Sequence, residues 1–399
     1  MADPTRPSGP LPLLAVLLAL AAGAARLLPA GEPVAPKLTA SSSAPDHPPS
    51  AAMDGKKETS WESEAAGEQR LTVDFGAPRN AGGLAVTWEP ELGATTFVVE
   101  ASDDGKEWRV VRRVYGASGE TSWVRLRPGG ARFLRLRLLE GDGSAFGIRE
   151  IALLPEETAT SADALARAMA SAARRGLFPR ALRDGKEPPT LLAAGPDGPF
   201  LSPDGAVEPA GGGFRVEPFV RVAGALVTWA DATTSASEPG EPSPSVRWAA
   251  KEVDLEVALL SESGAGATAV RYTLRNRTPG RLVATLALAV RPLRVRPAPG
   301  GGDGASFVEP IRSLSWDGRR VAVNGARYLV ATPAPASFSA VTLAGGDVTS
   351  YLEAGRVPPE RDVEDPTGFA SGVLAFPLAL DAHGAADVTV RIPPAGAKP

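Results

Sequence analysis

The chain has only two histidines, His47 and His383, and no cysteine. A multi-histidine metal site or a Ser-His-Asp hydrolase must therefore use one of these two rings. Thiolate zinc sites, cysteine nucleophiles and disulfide staples are excluded together. His47 sits in Pro45-Asp46-His47-Pro48-Pro49, a setting that places a ring in an exposed loop. Glycoside hydrolysis needs two carboxylates facing each other across a cleft. Carboxylates cluster at Glu89/Glu91, at Asp103/Asp104 and at Glu360, Asp362, Glu364 and Asp365, but each group is flanked by Pro or Gly and reads as solvated loop. Trp229, Asp231 and Trp248 have the residue types of a sugar subsite, yet at strand ends they read as core and rim. The run Gly141-Asp142-Gly143-Ser144-Ala145-Phe146-Gly147 mimics a nucleotide loop. It leads into strand-like sequence rather than a helix, so no phosphate cradle is expected. Asn276-Arg277-Thr278 is a formal glycosylation sequon, taken as incidental.

These residues must be positioned by β structure. Between 38 and 154, short alternating runs such as 71–76, 84–88, 97–102, 108–114, 122–127 and 132–139 are separated by Gly, Pro or Asp. Short strands at this spacing predict a sandwich or barrel. Asp104-Gly105 supplies the turn of a hairpin, and Trp108 is expected to return a large ring to the core. From Ser161 to Arg175 the apolar residues Leu165, Ala168, Met169 and Ala172 fall at helical spacing, with Gly176 as the stop. Strand-like sequence resumes from Thr190 to Pro394 with longer runs, predicting a second, larger double-sheet sandwich. The domain reading is thus 1–30 signal or anchor, 31–37 linker, 38–155 first β domain, 156–189 helical linker and 190–394 second β domain.

The N-terminus carries Arg6, then an apolar stretch from Leu13 to Ala25 ending in small residues. This predicts a secretory signal. An uncleaved membrane anchor is the alternative, but three prolines shorten the usable run below the ~20 residues of a spanning helix. The chain is expected to be exported to the periplasm, cell envelope or outside of the cell. The formal net charge is -4 over 399 residues with no basic stripe, which argues against a nucleic-acid partner.

Five segments in order resemble the discoidin domain, the coagulation factor five/eight C-type family. They are Ala40-Ser41-Ser42 leading to Ala52-Met53-Asp54-Gly55 and Thr59-Ser60-Trp61; the run 71–76; the hairpin 97–108; Ala131 to Leu138; and Gly147 to Leu153. The resemblance covers about residues 38 to 154. It implies an all-β jelly-roll sandwich similar to the galactose-binding family 32 carbohydrate-binding modules, with Trp61, Trp108 and Trp88 structural. It also implies a glycan site in the loops at one end, combining an aromatic with hydrogen-bonding side chains. The candidates are His47, Glu62, Glu64, Arg70, Tyr115 and Trp123, of which His47, Arg70, Tyr115 and Trp123 are the glycan-binding set. The family often holds calcium beside the Asp-Gly turn. By position its ligands would be Asp54, the carbonyls of Met53 and Thr59, and Glu150. Lys56 replaces an expected oxygen there, so the expectation is no cofactor and at most weak calcium.

Residues 190–394 resemble, more loosely, the β-supersandwich that precedes an (α/α)6 barrel in some glycosidases and phosphorylases. No helical repeat follows the last strand-like run, so the resemblance implies that the catalytic part is missing. The expectation is an all-β, exported protein that binds a glycan or polysaccharide and is non-catalytic or catalytically incomplete. The alternatives are a glycoside hydrolase or phosphorylase lacking its toroid in this chain, and an envelope adhesion protein with a protein partner.

Overall fold

The computed structural model describes residues 35–184, 192–193, 198–238, 240–261, 266–298, 306–394 and 396–397. The expected signal or anchor at 1–30 and most of the 31–37 linker lie outside them. No helix among the described residues is long and apolar enough to cross a membrane.

The first β domain follows the alternation of its sequence. Its strands are β1 (Lys37–Ala40), β2 (Trp61–Glu62), β3 (Gln69–Asn80), β4 (Gly83–Trp88), β5 (Ala94–Ser102), β6 (Arg109–Tyr115), β7 (Thr121–Arg125), β8 (Gly130–Gly141) and β9 (Gly147–Leu154). They form a five-stranded sheet, β1-β3-β8-β5-β6, packed on a four-stranded sheet, β2-β9-β4-β7. Leu71, Val73, Leu134, Leu136, Leu138, Phe97 and Val99 of the first sheet meet Leu84, Val86, Ile148 and Ile151 of the second in one core. Trp61 is fully buried at the edge of this core, and its indole N–H donates to the Ser42 carbonyl at 3.1 Å. Trp88 is also buried, edge-on to Phe97.

Trp108 departs from the expectation. It lies half-buried on the outer face of the five-stranded sheet, edge-on to Phe133, with the Arg135 guanidinium 3.8 Å above its ring. The physical reason is a bulge: β6 pairs Arg112 with Val99 but Val110 with Glu100, so Val111 is an extra residue. One inserted residue reverses which side chains face the core. The turn before it forms as expected. Gly105 takes φ +74, and the Asp104 carboxylate accepts the Lys106 and Glu107 amides at 2.8 and 2.9 Å.

Helices α1 (Ala162–Ala172) and α2 (Arg180–Asp184) follow. Ser161 caps α1 by accepting the Ala164 amide. The buried stripe is Leu165, Ala166, Met169 and Ala170, rotated slightly from the predicted one, and Ala172 is exposed.

The second β region is a large two-sheet sandwich. One sheet is centred on strands 215–222, 282–291 and 371–380, the other on 253–260, 268–276 and 385–392. Trp248 and Tyr272 of one sheet pack with Val216, Leu288 and Phe376 of the other. Runs that read as single strands in the sequence are broken by turns. The segment beginning at Arg215 folds back at Ala223-Gly224 into strand 225–227, and Pro292 splits the run beginning at Leu282.

Both sandwiches share a further apolar cluster. Ala85 and Leu154 of the four-stranded sheet, Leu165 and Met169 of α1, Phe219 and Ala289 of the second sandwich, and Tyr351 of α3 (Val348–Glu353) belong to it. Beneath α1 and α2 runs a buried charge layer. Arg291 bonds Glu217, Asp347 and the Leu177 carbonyl, while Arg215 pairs with Glu217 at 2.8 Å. Among fully buried charges such pairing avoids the large cost of an isolated ion.

Candidate functional site

The loop after β1 turns at Asp46, which adopts φ +65, and brings His47 back onto β2. Its Nδ1 lies 3.2 Å from the Ser60 carbonyl oxygen, 3.2 Å from Ser60 Oγ and 3.1 Å from Glu62 Oε1. A ring nitrogen facing a carbonyl and a carboxylate can only donate, so the proton sits on Nδ1. Nε2 is left as the ring's other hydrogen-bonding atom. Ser60 Oγ in turn donates to Glu62 Oε1 at 3.1 Å. Ser60 is buried, whereas the His47 side chain keeps 37% of its surface exposed. This is a ring fixed in orientation and tautomer at the rim of the domain. The supporting shell is continuous: Ala44 N–H donates to the Glu62 carbonyl, and Ser42 Oγ accepts from Glu64 N–H and donates to Gln69.

The other sequence candidates divide by location. Arg70 starts β3 at the same end of the jelly roll, but on the outer sheet face, where Nε and Nη2 both bond Glu68 at 3.1 and 2.7 Å. Tyr115 closes β6 at that end too and is 65% exposed. It pairs with Thr96, across the sheet from β3. Trp123 is separate. It stands on the outer face of the four-stranded sheet and packs against the cluster shared with the second sandwich. The structure therefore gathers His47, Ser60 and Glu62 at one point and leaves Trp123 in an interior joint. The Ser60 role was missed in the sequence; its place between Thr59 and the buried Trp61 was the available signal.

Asp54 and Glu150 do meet across the Asp-Gly turn. Glu150 Oε2 accepts the Gly55 amide at 3.0 Å, and both Asp54 oxygens accept the Thr59 hydroxyl, with Oδ1 also taking the Lys56 amide. Burial raises the Glu150 carboxyl above its usual range, against the pull of the Gly55 amide, and the Asp54 charge reinforces the rise. Calcium asks for six to eight oxygens. Here Asp54 is engaged by its own turn, and a lysine stands two residues on. Among the expected ligands, both side-chain carboxylates, Asp54 and Glu150, are thus already hydrogen-bonded within the turn. No cluster of three or more His, Asp or Glu suited to a metal occurs among the described residues.

In each remaining carboxylate group at least one member has a structural partner. Glu89 is held two-pronged by Arg149 at 2.8 and 3.1 Å. Asp365 corrects the solvated-loop reading: it is buried and accepts the Leu343 and Thr367 amides at 2.8 Å each. Trp229 and Trp248 are both buried, and Asp231 accepts the amide of Thr228, the residue that caps its short helix, at 2.9 Å. His383 is exposed in a turn at φ +56. The Asn276 amide is buried and donates to the Gly280 and Asp381 carbonyls, which spends the sequon nitrogen on the fold.

Two packed sheets of this strand order, with Trp61 buried and bonded to Ser42, agree with the family comparison. Residues 37–151 form an F5/8 type C domain, also called a discoidin domain. Its structural neighbours are carbohydrate-binding modules. One is the family 32 module of Clostridium perfringens NanJ in complex with galactose, at 23% identity and TM-score 0.28, covering 30% of this chain and 92% of that one. A second Clostridium perfringens family 32 module, in complex with GalNAc-β-1,3-galactose, is 23% identical, with TM-score 0.27 and coverage of 29% and 92%. Chitosan-binding module 1 from a Paenibacillus sp. IK-5 chitosanase/glucanase is 22% identical, with TM-score 0.28 and coverage of 30% and 94%. No curated protein matches the chain.

Proposed function

We propose that the F5/8 type C domain binds a glycan at the loop end built on His47, in an exported protein that acts by binding rather than catalysis. The observation that carries this reading is the clamp on His47. A ring held by Ser60 and Glu62 offers a sugar hydroxyl a fixed hydrogen-bonding atom, at little entropic cost on binding. The family of the domain and the apolar stretch from Leu13 to Ala25 support the glycan and export parts respectively. His47 is exposed at the rim and water competes for each bond, so affinity for a terminal hexose should be weak, roughly Kd 0.1–1 mM. Repetition on a polymer then favours a polysaccharide over a monosaccharide. Affinity electrophoresis of the full chain through gels containing neutral polysaccharides tests this. Retardation by at least one galactose-containing polymer, reduced about tenfold or more in His47→Ala, is expected. No retardation by any neutral polymer, or full retention in His47→Ala, would sink the reading.

A further inference from the structure

The outer face of the five-stranded sheet carries a rung that works against folding. Arg70 on β3 stands directly opposite Arg137 on β8, Arg137 is opposite Val98 on β5, and Val98 is opposite Arg113 on β6. Residues opposite one another share a face, and like charges so placed are destabilising. The neighbouring rung adds Arg135, opposite Glu100.

The counter-charges are few and shared. Glu68 serves Arg70 at 2.7 Å and Arg137 at 3.8 Å, and its carboxyl is held below its ordinary range, first by the Arg70 bond. Glu100, almost fully buried under the arginine stems, serves Arg135 at 2.6 Å and Arg137 at 3.5 Å. Arg113 is exposed, and no carboxylate pairs with it among the described residues. Arg137 Nε is buried without a hydrogen-bond partner there. A chain of net charge -4 thus places four arginines on one sheet face. The packing of the domain does not require Arg70 and Arg113, whose side chains are exposed.

We infer that this face is a second binding surface, distinct from the His47 loop end, for a carboxylated polysaccharide such as a polyuronate. The face already captures a carboxylate: Arg70 Nε and Nη2 both donate to the one oxygen Glu68 Oε1, at 3.1 and 2.7 Å. Glu68 is exposed, so a ligand carboxylate can exchange for it. The rung from β3 to β6 spans three strand spacings, about 14 Å. That is a surface for several sugar rings rather than one. Widely spaced single carboxylates suit isolated arginines.

The test uses the full chain with polygalacturonate and its fully methyl-esterified form, compared by affinity electrophoresis at low salt and at about 0.3 M salt, where charges are screened within a few ångströms. Retardation by the free acid alone, lost at high salt, is expected. The double variant Arg70→Ala/Arg113→Ala should weaken it about fivefold or more with a melting temperature no lower than wild type, since the rung loses like charges, and His47→Ala should leave it intact. Equal binding of the esterified polymer, or wild-type binding by a folded double variant, would overturn the inference. Loss of polygalacturonate binding in His47→Ala would overturn it as well, by moving the acid to the loop end. Tighter retention of a single-stranded oligonucleotide than of polygalacturonate would overturn the choice of ligand.

Discussion

Gly119 of the jelly roll and Gly345 of the second sandwich touch backbone to backbone: a Cβ on Gly119 would overlap the Gly345 carbonyl oxygen. Beside them Ser118 Oγ and Tyr351 OH are 2.6 Å apart, and Tyr351 OH donates to the Gly345 carbonyl at 2.9 Å. Gly119→Ala should therefore destabilise the whole chain by about 1–3 kcal/mol, the usual cost of overpacking. Gly280→Ala, where a Cβ meets nothing within 4 Å, is the control and should melt within a degree or two of wild type. Equal melting of the two variants would contradict the close approach.

The two tryptophans of the family pattern should differ in cost. Trp61→Ala removes a fully buried ring and should cost about 3–5 kcal/mol. Trp108→Ala removes an edge contact with Phe133 and the stacked Arg135, and should cost about 1–2 kcal/mol. Urea denaturation of both variants decides it. A Trp108 variant as damaged as the Trp61 variant would return Trp108 to the core.

Glu150 gives a pH signature. A carboxyl whose folded pKa is raised adds stability that is fully present below its unfolded value, about 4.3. That stability is lost as pH rises through the folded value. At neutral pH, Glu150→Gln should melt above wild type, and the gap should close on acidification below about pH 4. A gap of the same size at both ends would rule out titration as the cause.

Calcium should bind weakly if at all, with Kd no tighter than about 1 mM. Titration calorimetry on the full chain measures it. A tight isotherm that disappears in Asp54→Ala would show that the Asp54 turn opens to admit the ion despite Lys56.

Much of the architecture was legible because the sequence states it locally. Alternation in 71–76 and 132–138 marks which side chains face inward, and Leu71, Val73, Leu134, Leu136 and Leu138 are all buried. Trp108 was misplaced because a bulge is silent in the sequence. Val111 is as apolar as a regular strand residue, yet it alone reverses the parity of everything before it. Trp123 was misread for another reason. Its environment is made by α1 and the second sandwich, far away along the chain. At the site, a histidine among prolines pointed to the loop, but the bonds that orient it come from Ser60 and Glu62. Those residues meet it only through the return of the loop onto β2.

The cluster shared by the two sandwiches should couple their unfolding. When the two unfold together, a ligand that favours the folded jelly roll by a given free energy favours the remote sandwich by the same amount. Calorimetric scanning should then show a single transition, and a saturating sugar should displace all of it upward, including the part reported by the distant buried Trp248.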